Sequence, residues 1–334
     1  MNDRFDTQLR GALDASKVLR GVPLAPLTTF RVGGSADWLV QVRRADDVRR
    51  VVSLAREAGV PVTVLGGGSN VLVADQGVRG VVMRIHGGEV DAPDSRHVRA
   101  DAGVTINGLV RWTIGRGLAG LEVWAGTPGT VGGAIHGNAH FRGRPISEIV
   151  ERVTLATPEG DILDVPAADM RFGYDYSRLH DTGEIAVDAV FNVSDGDPAA
   201  LRAIARESLA FRKRTQPLES PSAGCIFQNP DPAGDHVPEG IPPSAGALVD
   251  RAGMKGARAG QAMVSTTHAN FIINHGGASA AQIRQLIERC KREVRNRFGV
   301  ELREEIVYLG FEPASAAETP APQTTRQSDG HTSD

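Results

Sequence analysis

The chain has 334 residues, a formal net charge of −3 and two cysteines. This length exceeds the size at which a single hydrophobic core usually stops growing, so two or three domains are expected. The near balance of charge, without a basic block and with few aromatic residues, argues against nucleic acid as the main partner. The polar N-terminus and the lack of a long apolar run argue against a signal peptide and a membrane partner.

The first elements alternate strands with a helix. Residues 36–42 (ADWLVQV) and 60–67 (VPVTVLGG) have the pattern of strands, and residues 45–59 have the pattern of an amphipathic helix. We interpret residues 1–26 as a helical N-terminal segment and residues 27–86 as a first subdomain. The pattern is typical of an α/β or α+β fold.

A second subdomain is predicted over residues 87–215. It contains a helix around residues 105–117, a glycine-rich stretch and a hairpin at RVTLATPEGDILDV, residues 152–165. The helical pattern PAALRAIARESLAFRKRT then ends before Pro217, because proline cannot continue a helix. This helix marks a domain boundary.

A third domain is predicted over residues 216–311, and residues 312–334 are predicted to be a disordered tail, because they offer little to bury. The third domain contains both cysteines. Cys290 belongs to an apolar stripe with helical spacing and is expected in the core. Cys225, in PSAGCIFQNP, follows a glycine in a turn-like stretch and has no such explanation. Two cysteines without a disulfide framework fit a reducing, cytoplasmic location.

Two glycine loops are candidates for binding phosphate groups. VLGGGSNVLVAD lies between two apolar strands, and AGTPGTVGGAIHGNA follows about 60 residues later. Glycines allow several N–H groups to face one anion, but the alternative for the first loop is a tight hairpin-like turn, which glycine runs commonly form. The first loop differs from the GxGxxG dinucleotide motif, because a strand follows it. Together the loops suggest a large cofactor between two subdomains.

Seven motifs follow one another along the chain: LTTFRVGGSADWLV, VLGGGSNVLVAD, GTPGTVGGAIHGNA, RFGYDYS, PSAGCIFQNP, AGMKGARAGQAMVSTTHANFIIN and LREEIVYLG. In these motifs and their order the chain resembles the UDP-N-acetylenolpyruvoylglucosamine reductases, also called UDP-N-acetylmuramate dehydrogenases. The resemblance covers residues 27–310. The short passage between Asp175 and Cys225 indicates the subtype that lacks a tyrosine-bearing lid.

The resemblance implies an α+β fold, with an FAD-binding region of two subdomains of the vanillyl-alcohol-oxidase (PCMH) type followed by an α+β substrate-binding domain. It implies that NADPH reduces FAD, and that flavin N5 then gives hydride to the β-carbon of an enolpyruvyl ether on a UDP-sugar, in peptidoglycan precursor synthesis. We expect a monomer. The residues expected to bind FAD are Gly66, Gly67, Gly68, Ser69 and Asn70 of the first loop, and Thr127, Pro128, Gly129, Thr130, Gly132 and Gly133 of the second.

The resemblance assigns the proton donor to Cys225, where most members have serine and some have cysteine. A thiol with a pKa of roughly 8.5 is mostly protonated at neutral pH and is a better acid than an alcohol. The alternative is a small buried thiol in a turn. Glu305 matches a glutamate that stabilises the developing enol. Its neighbour Glu304, which stands where proline is usual, should point to the other face of a strand.

The segment FGYDYS departs from the family pattern. Tyr174 and Ser177 match, but Asp175 stands where an arginine usually meets the enol carboxylate. We expect Arg178 to supply the guanidinium, oriented by Asp175 from three residues away. The alternative is that Arg178 is a surface charge. Without the usual arginine, Cys225 is also expected to stay protonated, because a nearby cation lowers the pKa of a thiol.

Four further residues resemble substrate-domain positions: Asn229, Lys255, His268 and Asn270. Lys255 suits a diphosphate, and His268 fits a structural role equally well. No spacing typical of metal ligands occurs, so no metal is expected. Two alternative functions remain: another FAD-dependent dehydrogenase of the same fold, and a catalytically impaired protein that binds flavin or UDP-sugar, as Asp175 would suggest.

Overall fold

The computed structural model describes residues 2–311; residue 1 and residues 312–334, which include the predicted tail, lie outside the described residues. The helices of the described range are α1 (Asn2–Ala12), α2 (Ala45–Glu57), α3 (Ile106–Gly115), α4 (Val131–His136), α5 (Leu179–Thr182), α6 (Pro198–Thr215), α7 (Ala245–Arg251) and α8 (Ala280–Phe298). The strands are β1 (Val18–Pro23), β2 (Ser35–Val42), β3 (Val62–Leu65), β4 (Val71–Val73), β5 (Val78–Ile85), β6 (Val90–Asp94), β7 (His97–Asp101), β8 (Leu118–Ala119), β9 (His140–Phe141), β10 (Arg144–Pro145), β11 (Val150–Ala156), β12 (Ile162–Pro166), β13 (Ile185–Asn192), β14 (Ser194–Asp195), β15 (Arg258–Ala259), β16 (Ala262–Val264), β17 (Ile272–Asn274) and β18 (Val307–Leu309).

The first sheet has the strand order β1-β2-β5-β3. Strands β2, β5 and β3 are parallel, and α2 connects β2 to β3 with its apolar face buried. The N-terminal segment differs from its purely helical prediction, because β1 pairs antiparallel with β2. Val18 is the one buried residue of β1, so the sequence lacks the alternation that would have predicted a strand.

The second sheet is antiparallel, with the order β12-β11-β13-β7-β6. The pairing of β11 with β12 confirms the predicted hairpin. Seven of the eight residues of β13 are buried, which fits its central position in the sheet. Residues from both sheets and from α1 to α4 contribute to one large hydrophobic cluster, so the two subdomains share a core.

Helix α6 spans Pro198–Thr215, which confirms the predicted helix. It begins with an Asp197 cap and a proline in its first turn and stops before Pro217. Its buried face has a spacing of four, three and four residues and includes one charged side chain. The buried residues are Leu201, Ala205, Ser208 and Arg212.

The third domain packs α7 and α8 with the small antiparallel sheet β15-β16-β17. Cys290 is 1% exposed in the buried face of α8, which confirms its predicted core position. Phe30, Val32 and Leu72 of the first subdomain join the same hydrophobic cluster. The third domain is therefore packed directly against the first.

The chain returns to the first subdomain at its last strand. Strand β18 pairs in parallel with β4, so that Val307 lies opposite Val71. Glu304 and Glu305 were expected on a strand, but β18 begins only at Val307, and Glu304 forms an isolated bridge with Phe227. The helices and sheets together confirm the α+β class. None of the helices between residues 2 and 311 is both long and apolar enough to span a membrane.

Candidate active site

The two glycine loops pack against each other. A Cβ atom on Gly67 would lie 2.7 Å from the Cα of Gly129, and one on Gly129 would lie 2.7 Å from Ser69 Oγ. A Cβ atom on Gly66 would similarly lie 2.6 Å from Thr130 Oγ1. Only residues without a side chain allow the backbones to approach this closely, so the sequence of both loops is explained by their contact.

The first loop does not close a hairpin. Strand β3 before it pairs with β5, whereas β4 after it pairs with β18. The loop therefore passes from one sheet to another, and the hairpin-turn interpretation is wrong. Asn70 holds its far end, because Asn70 Nδ2 donates to the carbonyl of Glu305 at 3.1 Å and Val307 N–H donates to the carbonyl of Asn70.

Several backbone N–H groups of the two loops find no acceptor within residues 2–311. They are those of Gly67, Gly68, Ser69, Gly129 and Thr130. A set of unpaired N–H groups on glycine-rich backbone is suited to a phosphate or diphosphate. By contrast, the N–H groups of Gly132 and Gly133 donate to the Ala102 carbonyl and to Thr130 Oγ1. These two glycines therefore act through packing.

Cys225 is held by the backbone around it. Gly224 precedes it with a φ of +81°, and Ile226 N–H after it donates to the Asn270 carbonyl at 2.8 Å. Burial and the negative charges of Glu305 and Asp175 raise the pKa of the Cys225 thiol. Cys225 is therefore a protonated thiol at neutral pH, as its proposed use as an acid requires.

Asn270 is 3% exposed, and its side chain is committed to the backbone of Phe227. Its Oδ1 accepts from Phe227 N–H at 2.9 Å, and its Nδ2 donates to the Phe227 carbonyl at 2.7 Å. Asn270 was predicted as a substrate-binding residue. Its contacts give it a different task, because they fix the segment that carries Cys225.

Glu305 lies beside Cys225 on the neighbouring segment, where its N–H donates to the Ile226 carbonyl at 2.8 Å. Burial, and then the charge of Asp175, raises the pKa of Glu305 to about 8. Glu305 is thus mostly a neutral acid at pH 7. Glu304 instead contacts Lys291 at 2.6 Å, which agrees with the expectation that the two glutamates face different directions.

Asp175 lies in the left-handed region with a φ of 52°, a conformation that aspartate tolerates better than most residues. Its side chain is 8% exposed. Oδ1 lies 3.2 Å from His140 Nδ1, and Oδ2 is buried without a hydrogen-bond partner within residues 2–311. Asp175 therefore contributes to the site with Cys225 and Glu305, but it pairs with His140 and does not orient Arg178.

Arg178 forms a two-point ion pair elsewhere. Its Nε and Nη2 donate to the two carboxylate oxygens of Glu184 at 2.8 and 2.7 Å. Nη1 also reaches the carbonyl of Asp169 at 3.4 Å. These contacts engage the whole guanidinium, and Asp175 is not among its partners. Arg178 is half-buried, so it is a structural residue and not a free surface charge.

Tyr174 links His140 to the third domain. Its ring packs on that of His140 with a centroid distance of 5.0 Å, and its hydroxyl lies 3.4 Å from Asn229 Nδ2. Burial and the charge of Asp175 raise the pKa of Tyr174 to about 12. Tyr174 of the second subdomain and Asn229 of the third domain therefore contact each other.

Arg212 is the cation that the sequence interpretation missed. It is 6% exposed, its Nη2 donates to Thr127 Oγ1 at 2.7 Å, and its Nε is buried without a partner within residues 2–311. Burial lowers the pKa of Arg212 to about 10, so the guanidinium stays charged at neutral pH, and its charge acts on Cys225. One signal was available: Arg212 continues the buried face of α6.

The remaining predicted residues lie in the third domain. Lys255 is partly exposed and contacts Asp250 at 2.7 Å. His268 accepts at Nδ1 from Asn270 N–H at 3.2 Å, and burial lowers its pKa, so it is a neutral acceptor with a structural role. Residues 2–311 contain no group of three or more side chains arranged to hold a metal.

Two family models match the chain. A model described as "FAD binding domain" matches residues 36–166, and one described as "UDP-N-acetylenolpyruvoylglucosamine reductase, C-terminal domain" matches residues 216–309. The first contains both glycine loops. The second contains Cys225 and Glu305.

Comparison with known proteins gives relatives over most of the chain. UDP-N-acetylenolpyruvoylglucosamine reductase 2 of Symbiobacterium thermophilum is 38% identical over 90% of this chain and 94% of its own length. The reductase of Geobacter metallireducens is 39% identical over 93% of this chain and 100% of its own. The crystal structure of the reductase (MurB) from Thermus caldophilus superimposes with a TM-score of 0.72 and 33% identity, over 87% of this chain and 98% of that one.

Proposed function

Because the chain belongs to the UDP-N-acetylenolpyruvoylglucosamine reductase family, we propose that it reduces UDP-N-acetyl-3-O-(1-carboxyvinyl)-glucosamine to UDP-N-acetylmuramate with NADPH. The cofactor is FAD, as its FAD-binding domain indicates. The proposed setting is peptidoglycan precursor synthesis in the cytoplasm, with the protein acting as a monomer. Residues 27–86 and 87–215 are assigned to FAD, and residues 216–311 to the substrate.

The glycine loops suit the diphosphate of FAD. The unpaired N–H groups of Gly67 to Ser69 and of Gly129 and Thr130 supply its hydrogen-bond donors. The absence of side chains at Gly66, Gly67 and Gly129 lets the two loops pack against each other and so brings these N–H groups together. FAD held by these loops would supply the hydride chemistry, from NADPH to the β-carbon of the substrate double bond.

Cys225 supplies the proton for the α-carbon. The S–H bond breaks as the C–H bond forms, and a thiolate remains. Burial and the neighbouring carboxyl groups keep the thiol protonated until then. A proton donor held at the reacting carbon contributes typically 10²–10⁴-fold to the rate.

Arg212 and Glu305 suit the charge that develops on the substrate carboxylate. A buried guanidinium can pair with the carboxylate, and a neutral carboxyl can donate a hydrogen bond to the developing enolate without repelling it. Lys255 and Asn229 would meet the UDP-sugar at the rim of the third domain, where Lys255 is the diphosphate contact.

The observation that carries this proposal is that Glu305 N–H bonds the carbonyl of Ile226, the residue after Cys225, at 2.8 Å, while the buried guanidinium of Arg212 bonds Thr127 of the second glycine loop. The alternative of an impaired binding protein rested on the loss of arginine at position 175. The loss of that arginine no longer supports the alternative, because Arg212 supplies a buried guanidinium whose charge acts on Cys225.

The test uses purified protein loaded with FAD. We expect NADPH oxidation that depends on the enolpyruvyl sugar nucleotide, with UDP-N-acetylmuramate as the product by mass spectrometry. Flavin reduction by NADPH without subsequent reoxidation by the enolpyruvyl substrate would support the impaired protein. Reoxidation by other substrates alone would support another dehydrogenase of the same fold.

A further inference from the structure

The segment that carries Glu305 has few backbone partners. It lies between the end of α8 at Phe298 and the start of β18 at Val307, and an isolated bridge joins Glu304 to Phe227. Backbone with few hydrogen bonds moves more easily than a strand inside a sheet. A side chain on this segment therefore needs other contacts to hold its direction.

The backbone of Glu304 is held only through its neighbours. The Arg303 carbonyl accepts from Gln228 N–H at 2.9 Å, and Glu305 N–H donates to the Ile226 carbonyl at 2.8 Å. Between these two bonds, the N–H of Glu304 donates to no backbone acceptor within residues 2–311. The side chain of Glu304 is therefore the further contact that can fix this part of the segment.

Two ion pairs involve the two residues before Glu305. Arg303 Nη2 lies 2.6 Å from Asp235 Oδ2, but the Arg303 side chain is 48% exposed. Glu304 Oε1 lies 2.6 Å from Lys291 Nζ, and these two side chains are only 19% and 26% exposed. Because solvent screens a partly buried pair less than an exposed one, the pair of Glu304 and Lys291 is the stronger restraint.

The backbone of Lys291 is fixed, because α8 is packed into the core of the third domain. The helix begins with a capping box of Ser279 and Gln282, and six of its residues are buried. Cys290, next to Lys291, is 1% exposed. Lys291 Nζ also lies 3.8 Å from Glu288 of the same helix. The ion pair therefore joins Glu304 to a rigid element.

The direction of Glu304 bears on that of Glu305, because adjacent side chains of extended backbone point to opposite sides. We propose that Lys291 is a positioning residue: its ion pair with Glu304 holds Glu305 in the direction that reduction of the substrate requires. This inference rests on the proposed function, in which Glu305 donates a hydrogen bond to the developing enolate. Lys291 acts only through Glu304.

The test measures the two half-reactions separately by stopped-flow absorbance. A displacement of 1 Å can cost about 10²-fold in rate, so Lys291→Met should slow flavin reoxidation by the enolpyruvyl substrate at least tenfold. Flavin reduction by NADPH and the affinity for FAD should not change, because Glu305 takes no part in them. Lys291→Arg, which keeps the charge, should retain most of the reoxidation rate.

Lys17→Met is the matched control. It breaks an ion pair of similar exposure, in which Lys17 Nζ lies 3.0 Å from Asp47 Oδ2 in the first subdomain. Both half-reactions should keep their wild-type rates in this variant. A loss of reoxidation as large as that of Lys291→Met would show that any such pair has the effect, and it would overturn the proposal.

A double-mutant cycle with Glu304→Met tests whether Lys291 acts through Glu304. Each single variant should slow reoxidation, and Lys291→Met should have no further effect in the Glu304→Met background, where no unpaired charge is left behind. Independent effects that multiply would overturn the proposal.

Two further results in Lys291→Met would overturn the positioning role: an unchanged reoxidation rate, or an equal loss in the half-reaction with NADPH. Either result, with wild-type enzyme that turns over, leaves the proposed function standing. Wild-type enzyme whose reduced flavin is not reoxidised by the enolpyruvyl substrate would overturn the proposed function and the positioning role together.

Discussion

Arg212 Nη2 donates to Thr127 Oγ1 across 2.7 Å. This bond joins helix α6 to the second glycine loop, and the charge of the buried guanidinium also acts on Cys225. Under the proposed function, Arg212 rather than Arg178 is the cation that accompanies Cys225.

Arg212→Met and Arg178→Met form a matched pair. Loss of the Arg212 charge should lower kcat/KM by about 10²–10³, the usual effect of removing one electrostatic stabiliser of a transition state. Arg178→Met should leave turnover unchanged but destabilise the fold by about 1–3 kcal/mol, because it strands the buried Glu184. Steady-state kinetics and thermal unfolding measure the two effects. Lost turnover in Arg178→Met with an intact flavin spectrum would restore the original hypothesis.

Cys225→Ala should lower the rate of flavin reoxidation by substrate about 10²–10⁴-fold and leave flavin reduction by NADPH unchanged, because only the proton donor is removed. Cys225→Ser should retain more activity than Cys225→Ala. Cys290→Ala is the control, since that thiol lies in the core of α8. Stopped-flow absorbance follows each half-reaction. Equal reoxidation rates in wild type and Cys225→Ala would remove Cys225 from the mechanism.

Asp175→Arg should lower the apparent pKa of Cys225, because it exchanges a charge that raises the thiol pKa for one that lowers it. Asp175→Asn should give a smaller shift in the same direction. The pH dependence of thiol alkylation, with Cys290 replaced by alanine, reports the pKa. Asp169→Arg, on an exposed residue nearby, is the control. The absence of an acid-ward shift in Asp175→Arg would contradict this account of the site.

Glu305→Gln should stabilise the protein at alkaline pH. Folding raises the pKa of Glu305 from 4.5 to about 8, so the folded chain keeps a proton that the unfolded chain releases. Stability therefore falls as the pH rises from about 4.5 to about 8 and is constant beyond. The variant lacks this loss, and its melting temperature should exceed that of wild type by more at pH 9 than at pH 5. Glu304→Gln, which breaks the Lys291 pair, should show no such gain. A gain independent of pH would exclude a raised pKa.

Gly67→Ala should weaken FAD binding at least tenfold, because its methyl group would meet the Gly129 backbone at 2.7 Å and separate the loops. Gly115→Ala is the control, since no atom lies within 4 Å of its added Cβ, and it should be neutral or slightly stabilising. Titration of apoprotein with FAD, followed by flavin fluorescence, gives both affinities. Equal affinities would show that the loops tolerate separation.

Local patterns in the sequence were sufficient for much of the fold. The helix that ends before Pro217, the hairpin around Gly160 and the core position of Cys290 all follow from spacing and from proline or glycine within a few residues. Strand β1 was not predicted, because its residues lack an alternating apolar pattern. Its extended conformation is stabilised by pairing with β2.

The site was predictable where a motif carries it and not where it depends on contacts across the chain. Cys225 and Glu305 lie in recognisable motifs, and the structure brings them together. His140 and Arg212 come from segments 35 and 37 residues away from Asp175, on either side of it, so their positions depend on tertiary packing. The sequence nevertheless marks Arg212 as unusual, because it lies at a position of the buried face of α6 and charged residues are rare at such positions.

The pairing of β4 with β18 has a consequence for biosynthesis. Val71–Val73 acquire their partner only when Val307–Leu309 exist, a separation of more than 230 residues along the chain. The far end of the first glycine loop is therefore unsupported on the ribosome until residue 309 has emerged, and contacts of such high sequence separation form late. The support for this end of the loop is thus completed only after translation of the third domain.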